Sequence, residues 1–235
     1  MSGVLAVVPA RGGSKGIPRK NLAEVSGIPL VAHSIRHALA SPSIGRVIVS
    51  TDDDEIARVA REFGAEVPFP RPAALAGDDV LDHPVFVHVL KTLRETSGYA
   101  PDLVVHLRPT TPFRRIEWIE ESIALLAGRP DADSVRSVSR PSQHPYRIFR
   151  IQDDGFLQPL MAHEHPVPFL LRRQELPPVY YYNCVVDVTR PATILDKGSM
   201  TGDRMLPYIL PEDEVIDVDS RRDLELAALF MDRLR

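Results

Sequence analysis

The sequence contains a single cysteine, Cys184, among 235 residues. No internal disulfide can form, so packing alone must hold the fold, and the cytoplasm is the expected setting. Long apolar runs are missing as well. None approaches the ~20 residues that cross a bilayer, and the opening "MSGVLAVVPARGG" puts its cations after a short apolar stretch, the reverse of a secretory signal. No membrane association is expected. A basic surplus is also lacking: 28 Lys and Arg stand against 32 Asp and Glu, a net charge of −4, which argues against nucleic-acid binding. Lysine is scarce, 4 residues beside 24 arginines, so an isolated arginine carries little functional weight. The eight histidines show no metal-binding spacing, and no internal repeat or low-complexity tract occurs.

What is present has the rhythm of an α/β domain. "VLAVVP" (Val4–Pro9), "RVIVST" (Arg46–Thr51) and "DLVVHL" (Asp102–Leu107) are continuous apolar, β-branched runs, the pattern of strands buried on both faces. Between them, helical stripes recur. Leu30, Val31, Ile35, Ala38 and Leu39 form one, and Val85, Phe86, Val89, Leu90 and Leu93 another. "DDEIARVAREFG" opens with acidic residues and stops at Gly64, as a helix should, and "RRIEWIEESIALLAG" forms a fourth. "AEVPF", "DSVRSVS" and "VYYYNCVVDV" read as further strands. The closing "EVIDVDSRRDLELAALFMDRL" reads as strand, turn and helix, with Ser220 as N-cap. The expected architecture is a Rossmann-like, mostly parallel sheet flanked by helices, a single domain over 1–235. Residues 141–178, rich in Pro, His and Gln, break the rhythm and read as an inserted arm that mediates dimerisation.

Two stretches carry chemistry. "VVPARGGSKGIPRKNL" (Val7–Leu22) follows the first strand and holds Arg11, Lys15, Arg19 and Lys20 among Gly12, Gly13 and Gly16. A strand, a glycine-rich loop and a helix are the arrangement that cradles phosphate, because glycines let backbone N–H groups converge. The spacing matches neither G-x-x-x-x-G-K-[ST] nor G-x-G-x-x-G. A loop with this many cations suits a polyanion such as a triphosphate. The second stretch is "IDVDS" (Ile216–Ser220), where Asp217 and Asp219 would share a strand face about 7 Å apart. Two such carboxylates suit Mg²⁺, which takes hard oxygen ligands and completes its shell with water and phosphate. A turn that caps the last helix explains the same residues. Asp53 and Asp54 are explained by helix-terminal charge complementarity, and Asp52 is left open.

Five blocks in order, "PARGGSKGIPRKN", "VSTDDDEIA", "RPAALAGDD", "LRPTTPFR" and "IDVDSRRDL", resemble the acylneuraminate cytidylyltransferases, with "RRQELPPVYYYNCVVDV" a looser sixth. The resemblance spans essentially the whole chain. It implies transfer of CMP from CTP to an acidic sugar with release of pyrophosphate, an Mg²⁺ cofactor and a homodimer. Carried over position by position, Arg11, Ser14, Lys15 and Lys20 would hold the triphosphate and Asn21 would lie near the ribose. Arg71 would read the cytosine edge with backbone around Val80, and Asp217 and Asp219 would carry Mg²⁺. Arg11, Lys15, Asp217 and Asp219 are thus the catalytic candidates, with metal-assisted deprotonation or Asp219 itself as the general base.

The block expected to hold the sugar departs from the family. Arg108 stands where a neutral Gln is usual, Asn183 is followed by Cys184 rather than Gly, and Asp187 replaces a common aromatic residue. Arg108, Asn183 and Asp187 are the acceptor-binding candidates, joined by Arg173, which matches the arginine expected on the sugar carboxylate, and by Arg147. The last two lie in the arm and would reach a partner's site. The extra charge of Arg108 keeps two alternatives open: a phosphate-bearing or phosphonate acceptor, or GTP in place of CTP. A nucleotide-binding module without catalysis is the alternative from another class.

Overall fold

The computed structural model describes residues 3–162, 165 and 167–233. Its centre is a six-stranded sheet. The strands are β1 (Val4–Pro9), β2 (Ile44–Ser50), β3 (Leu103–His106), β4 (Ser134–Ser139), β5 (Tyr181–Thr189) and β6 (Met205–Ile209). Their order across the sheet is β6-β4-β5-β3-β1-β2. β1 pairs in parallel with β2 and β3, and β6 with β4, while β5 runs antiparallel to both of its neighbours. The mostly parallel sheet is as expected, with β5 the reversed strand.

Both faces of the sheet are covered, which explains why the parallel strands read as unbroken apolar runs. Ala6 and Val8 pack on one side with α1 (Leu30–Ala40), α2 (Asp54–Glu62) and α4 (Ile116–Ala127), through Val31, Ile35, Ile56, Ile119 and Ile123. Leu5 and Val7 point to the other side, against Phe86, Val89 and Leu93 of α3 (Asp82–Ser97) and Ile194 of α5 (Pro191–Leu195). Leu39, read as part of the α1 stripe, is exposed instead. A third cluster joins Ile17 and Leu30 to Val218 and Ala227, and so seats α6 (Arg221–Arg233) beneath the glycine loop.

Two strand expectations need correction. Residues 214–219 form no strand; the place at the sheet edge belongs to Met205–Ile209, a run whose internal Pro207 hid it. Proline lacks an N–H and is tolerated on an edge strand, where one side of the ladder needs no donor. "AEVPF" contributes only a bridge at Glu66, whose N–H donates to the Val47 carbonyl at 2.8 Å before Pro68 intervenes. Between β4 and β5, a short hairpin (Phe149–Ile151 with Leu157–Pro159) and single 3-10 turns carry exposed Ile151, Phe156, Leu157 and Leu170.

Candidate active site

β1 and β3 are adjacent in the sheet but far apart in the chain, and the crevice beyond their C-terminal ends is where an open α/β sheet places a ligand. The glycine loop leaves β1 there. Its backbone is tied down at Gly12, whose N–H donates to Asp52 Oδ1 at 3.0 Å, and at Arg11, whose carbonyl accepts from Asn21 Nδ2 at 2.9 Å. Gly16 lies so close to the last helix that a Cβ would stand 2.8 Å from the Asp219 carbonyl oxygen.

Each cation of the loop meets an internal carboxylate. Arg11 Nη1 and Lys15 Nζ both bind Asp78, at 2.6 and 2.8 Å, and Lys15, then Arg11, hold that carboxyl below its ordinary pKa. Lys20 Nζ reaches Asp219 at 3.0 Å and the Val218 carbonyl at 3.1 Å. Arg19 bridges Asp53 and Glu55 at 3.1 and 2.8 Å and does not line the crevice, so it braces α2. Asp53 is the α2 N-cap, accepting from the Glu55 and Ile56 N–H groups, as charge complementarity required.

The crevice holds a cavity of about 390 Å³. Arg11, Ser14, Lys15, Lys20, Asn21, Arg71 and Val80, the candidate nucleotide contacts, all line it. Arg71 is buried, with Nε donating to Ser50 Oγ at 3.1 Å and Nη2 to the Ser50 carbonyl at 2.6 Å, which fixes the plane of its guanidinium. Asp82, Arg108, Thr110 and Asp219 also stand in the wall.

Asp217 and Asp219 flank Val218, which is fully buried and donates its N–H to the Thr110 carbonyl at 2.7 Å. The two carboxylates therefore face away from the core without belonging to a strand. Ser220 caps α6 reciprocally with Asp223: the Ser220 N–H donates to Asp223 Oδ2 at 2.7 Å, and the Asp223 N–H donates to Ser220 Oγ at 3.3 Å. Asp219 reaches the cavity, whereas Asp217 faces a groove along α6 with Leu226 and Phe230. Burial raises the Asp217 pKa; a Thr110 hydrogen bond opposes this and the Asp219 charge adds to it. Among the described residues no group of three His, Cys, Asp or Glu converges on one point. Asp219, beside the cations of the glycine loop, offers the hard carboxylate oxygen that Mg²⁺ takes, while Asp217 faces the neighbouring groove.

The acceptor candidates fall differently. Asp187 is fully buried and cannot touch a ligand; it is instead the keystone beneath Arg108. Its Oδ2 accepts from Arg108 Nη1 and Arg136 Nη1, each at 2.7 Å, and from the Tyr182 hydroxyl. Arg108 Nη2 also binds Asp82 at 3.0 Å. Burial works against the Arg108 charge, but Asp187, Tyr182 and Asp82 outweigh it and raise its pKa. His106 lies below, 3.9 Å from Asp82 and 4.0 Å from Asp187, and burial with Arg108 lowers its pKa well below the ordinary value, so it is neutral.

Asn183 is buried too, accepting from Ser137 Oγ at 2.6 Å and donating to Ser139 Oγ at 2.8 Å. It pins an irregularity where Arg136 pairs with Asp187 and Val138 with Tyr182. Cys184 sits there at φ 61°, the left-handed region that favours glycine. Arg147 and Arg173 lie on the arm and do not line the cavity; Arg147 Nη2 donates to the Leu171 carbonyl at 3.2 Å.

Sequence reading missed Asp82, Arg136 and Arg114. Arg136 had a signal, a charged residue inside the alternating "DSVRSVS", since a buried charge needs a partner. Arg114 is buried and donates to the Val185 carbonyl at 2.6 Å, Ser34 Oγ at 2.9 Å and the Arg108 carbonyl at 2.5 Å, so it ties together β5, α1 and the turn that presents Arg108.

A family model described as cytidylyltransferase matches residues 5–201 of this chain. The CMP-N,N'-diacetyllegionaminic acid synthase of Legionella pneumophila is 34% identical over 236 residues, covering 97% of this chain and 96% of that protein. The pseudaminic acid cytidylyltransferase of Campylobacter jejuni is 28% identical, covering 96% and 95%. An N-acylneuraminate cytidylyltransferase of Streptococcus agalactiae is also 28% identical, covering 97% of this chain and 54% of that longer protein. Among solved structures, a CMP:2-keto-3-deoxy-manno-octonic acid synthetase complexed with CTP superposes with a TM-score of 0.73 over 100% of both chains. At 16% identity that likeness bears on the fold alone.

Proposed function

The chain belongs to the cytidylyltransferase family, and we propose that it transfers CMP from CTP to a hydroxyl of an acidic, nonulosonic-type sugar and releases pyrophosphate. One observation carries this reading. Arg11, Lys15 and Lys20 from the start of the chain meet Asp219 from its end around one cavity, with Arg71 and Val80 at its wall. A binding module would need the cations; the Asp219 carboxylate among them favours group transfer.

In the proposed reaction the acceptor oxygen attacks the α-phosphorus of CTP. The bond from that phosphorus to the bridging oxygen of the β-phosphate breaks, its electrons leave with pyrophosphate, and the hydroxyl proton passes to a base. Arg11 and Lys15 exchange Asp78 for the triphosphate, and Lys20 exchanges Asp219 for it. Each swap replaces one anion by another and leaves no cation bare. The side chains act by position and charge rather than by covalent chemistry. Asp217 and Asp219 would hold Mg²⁺, which when bound neutralises phosphate charge and makes the leaving group better. Asp219, at the cavity wall, is the proposed base. Arg71 and Val80 are proposed to face the cytosine and Asn21 the ribose.

Arg147 and Arg173 are proposed to serve the acceptor carboxylate of a partner protomer. The exposed apolar residues of the arm support a homodimer, and the cytoplasm, where CTP is made, is the proposed location. No helix among the described residues is long and apolar enough to cross a membrane.

The test is pyrophosphate release from CTP with a panel of 2-keto acid sugars, with Mg²⁺ present or chelated. We expect release with at least one acid and its loss on chelation. Asp219→Asn should abolish turnover while calorimetry still detects CTP binding. CTP binding without release for any acid in the panel would refute the transfer reaction.

A further inference from the structure

Two cations of the glycine loop share one carboxylate. Arg11 Nη1 stands 2.6 Å from Asp78 Oδ1 and Lys15 Nζ stands 2.8 Å from Oδ2, so each oxygen of Asp78 takes one cation. Arg11 Nη1 also donates to the Ala76 carbonyl at 3.5 Å. Both cations line the nucleotide crevice, whereas Asp78 does not. The other carboxylates beside the loop have further duties: Asp52 fixes the Gly12 N–H, Asp53 caps α2, and Asp219 stands in the crevice wall. The Asp78 carboxylate, among the described residues, binds these two cations alone.

The segment that carries Asp78 is anchored at both ends. Arg71 donates its N–H to the Thr51 carbonyl at 2.8 Å and its guanidinium to Ser50, and α3 begins at Asp82. Between them a 3-10 turn (Ala73–Leu75) leads into residues 76–81, where the Ala76 N–H donates to the Ala73 carbonyl at 3.0 Å and the Val80 N–H to the Gly77 carbonyl at 3.3 Å. The pairs to Arg11 and Lys15 join this stretch to the glycine loop. The Asp78 side chain is 41% exposed, so a released carboxylate is rehydrated at once and the pairs are weak enough to exchange.

The empty loop is therefore already occupied by an anion of the protein itself. A phosphate chain that takes Arg11 and Lys15 must displace Asp78, and one that leaves gives them back. Such an internal competitor lowers the affinity of every ligand that uses both cations by the same factor, because the cost of opening does not depend on the ligand. It does not choose between them; it keeps the cradle from holding its product. Tight binding of substrate and product alike adds nothing to turnover once the site is filled, whereas weaker binding lets pyrophosphate leave sooner.

We propose that Asp78 is a positioning residue acting through Arg11 and Lys15: it occupies the phosphate cradle of the empty enzyme and retakes both cations as pyrophosphate departs. The proposal rests on the transfer reaction described above and adds the release step to it.

The test is calorimetry on the full chain with metal chelated. Inorganic tripolyphosphate serves as a probe that brings the phosphates without the base, alongside CTP and pyrophosphate. Asp78→Asn should bind all three about 3- to 10-fold more tightly than wild type, the range expected for exposed ion pairs. In the transfer assay with Mg²⁺, its inhibition constant for pyrophosphate should fall by a similar factor. Asp79→Asn removes the same charge from the exposed neighbour and should change neither reading. Unchanged or weaker tripolyphosphate binding by Asp78→Asn overturns the proposal. So does an equal gain from Asp79→Asn, which would make the effect one of net charge. Weaker CTP binding with tripolyphosphate unchanged also overturns it, since Asp78 would then be bracing the segment that carries Val80. The titrations need no acceptor, so the reaction fails separately: tighter tripolyphosphate binding without pyrophosphate release for any acid keeps Asp78 as the internal anion of the cradle and refutes the transfer.

Discussion

Asp187→Asn tests the reading of Arg108 as an internally neutralised group. The native carboxylate is fully buried and binds two guanidinium groups at 2.7 Å. Asparagine keeps the volume and one acceptor oxygen but removes the charge. Arg108 would retain Asp82 at 3.0 Å, whereas Arg136 would keep only the Met200 carbonyl and Tyr182. Breaking a buried pair from one side costs about 3–5 kcal/mol, and the surviving Asp82 contact places this case at the lower end, about 3 kcal/mol. For a chain of this length that corresponds to a fall of about 6–12 °C in Tm, readable by calorimetry or by circular dichroism on heating. Adding Arg136→Met removes the stranded charge, so the double variant should be more stable than the summed single effects by about 1–2 kcal/mol. A Tm change under about 2 °C for Asp187→Asn, or costs that simply add, would falsify the assignment of Asp187 as the shared counter-ion.

Lys20→Met should lower kcat/KM for CTP about 10²-fold or more, far beyond the small Tm loss from its Asp219 and Val218 contacts, because the lysine lies on the cavity wall and its ammonium is a proposed phosphate contact; steady-state kinetics with unaffected turnover would exclude that role. Gly16→Ala places a methyl 2.8 Å from the Asp219 carbonyl and should separate the loop from the Asp219 carboxylate, with a loss of turnover far larger than the loss of stability; urea titration beside the rate assay reads both, and a fall in parallel would contradict the local reading. Asp133 is held down to about 2 by Lys197 and then by the Arg204 and Asp203 N–H groups, so its stabilisation is complete above the ordinary value of 3.8 and is lost as pH falls toward 2. The Tm gap between wild type and Asp133→Asn should therefore be widest near neutrality and close between about pH 4 and pH 2; a gap independent of pH would remove the ion pair as its cause.

Most of the scaffold was legible because its signals are local. A strand buried on both faces must be apolar without alternation, and Val4–Pro9 and Leu103–His106 are. Helices announce their buried stripes and caps within a few residues, as Asp53 and Ser220 do. The glycine- and cation-rich loop at the crevice was legible for the same reason, since loop glycines and cations between a strand and a helix need no distant partner to be recognised. Met205–Ile209 escaped because a proline inside an edge strand costs little there and removes the pattern that identifies it.

The acceptor side was not legible, because its meaning depends on which charges cancel. Read alone, Arg108 is a free cation that invites a second anion, and Asp187 is a polar residue facing a sugar. Seventy-nine positions apart, they form one buried pair, and Asp82 and Arg136 complete it. Cys184 at positive φ and Asn183 beneath it likewise belong to the backbone irregularity that lets Tyr182 and Asp187 share Arg136.

By itself, then, the sequence determined the layered α/β fold and the placement of a glycine- and cation-rich loop after the first strand, both from periodicity and composition over short windows. The family came from the resemblance of five blocks, which the family model and the relatives then bore out. Only the tertiary structure decided that Lys20 stands opposite Asp219, 199 residues away, and that Arg19 serves α2 rather than the crevice. It also decided that the charge of Arg108 is neutralised within the fold. A charge's effect depends on its distance from every other charge and on the burial of both, and the chain sets those quantities only once it has folded.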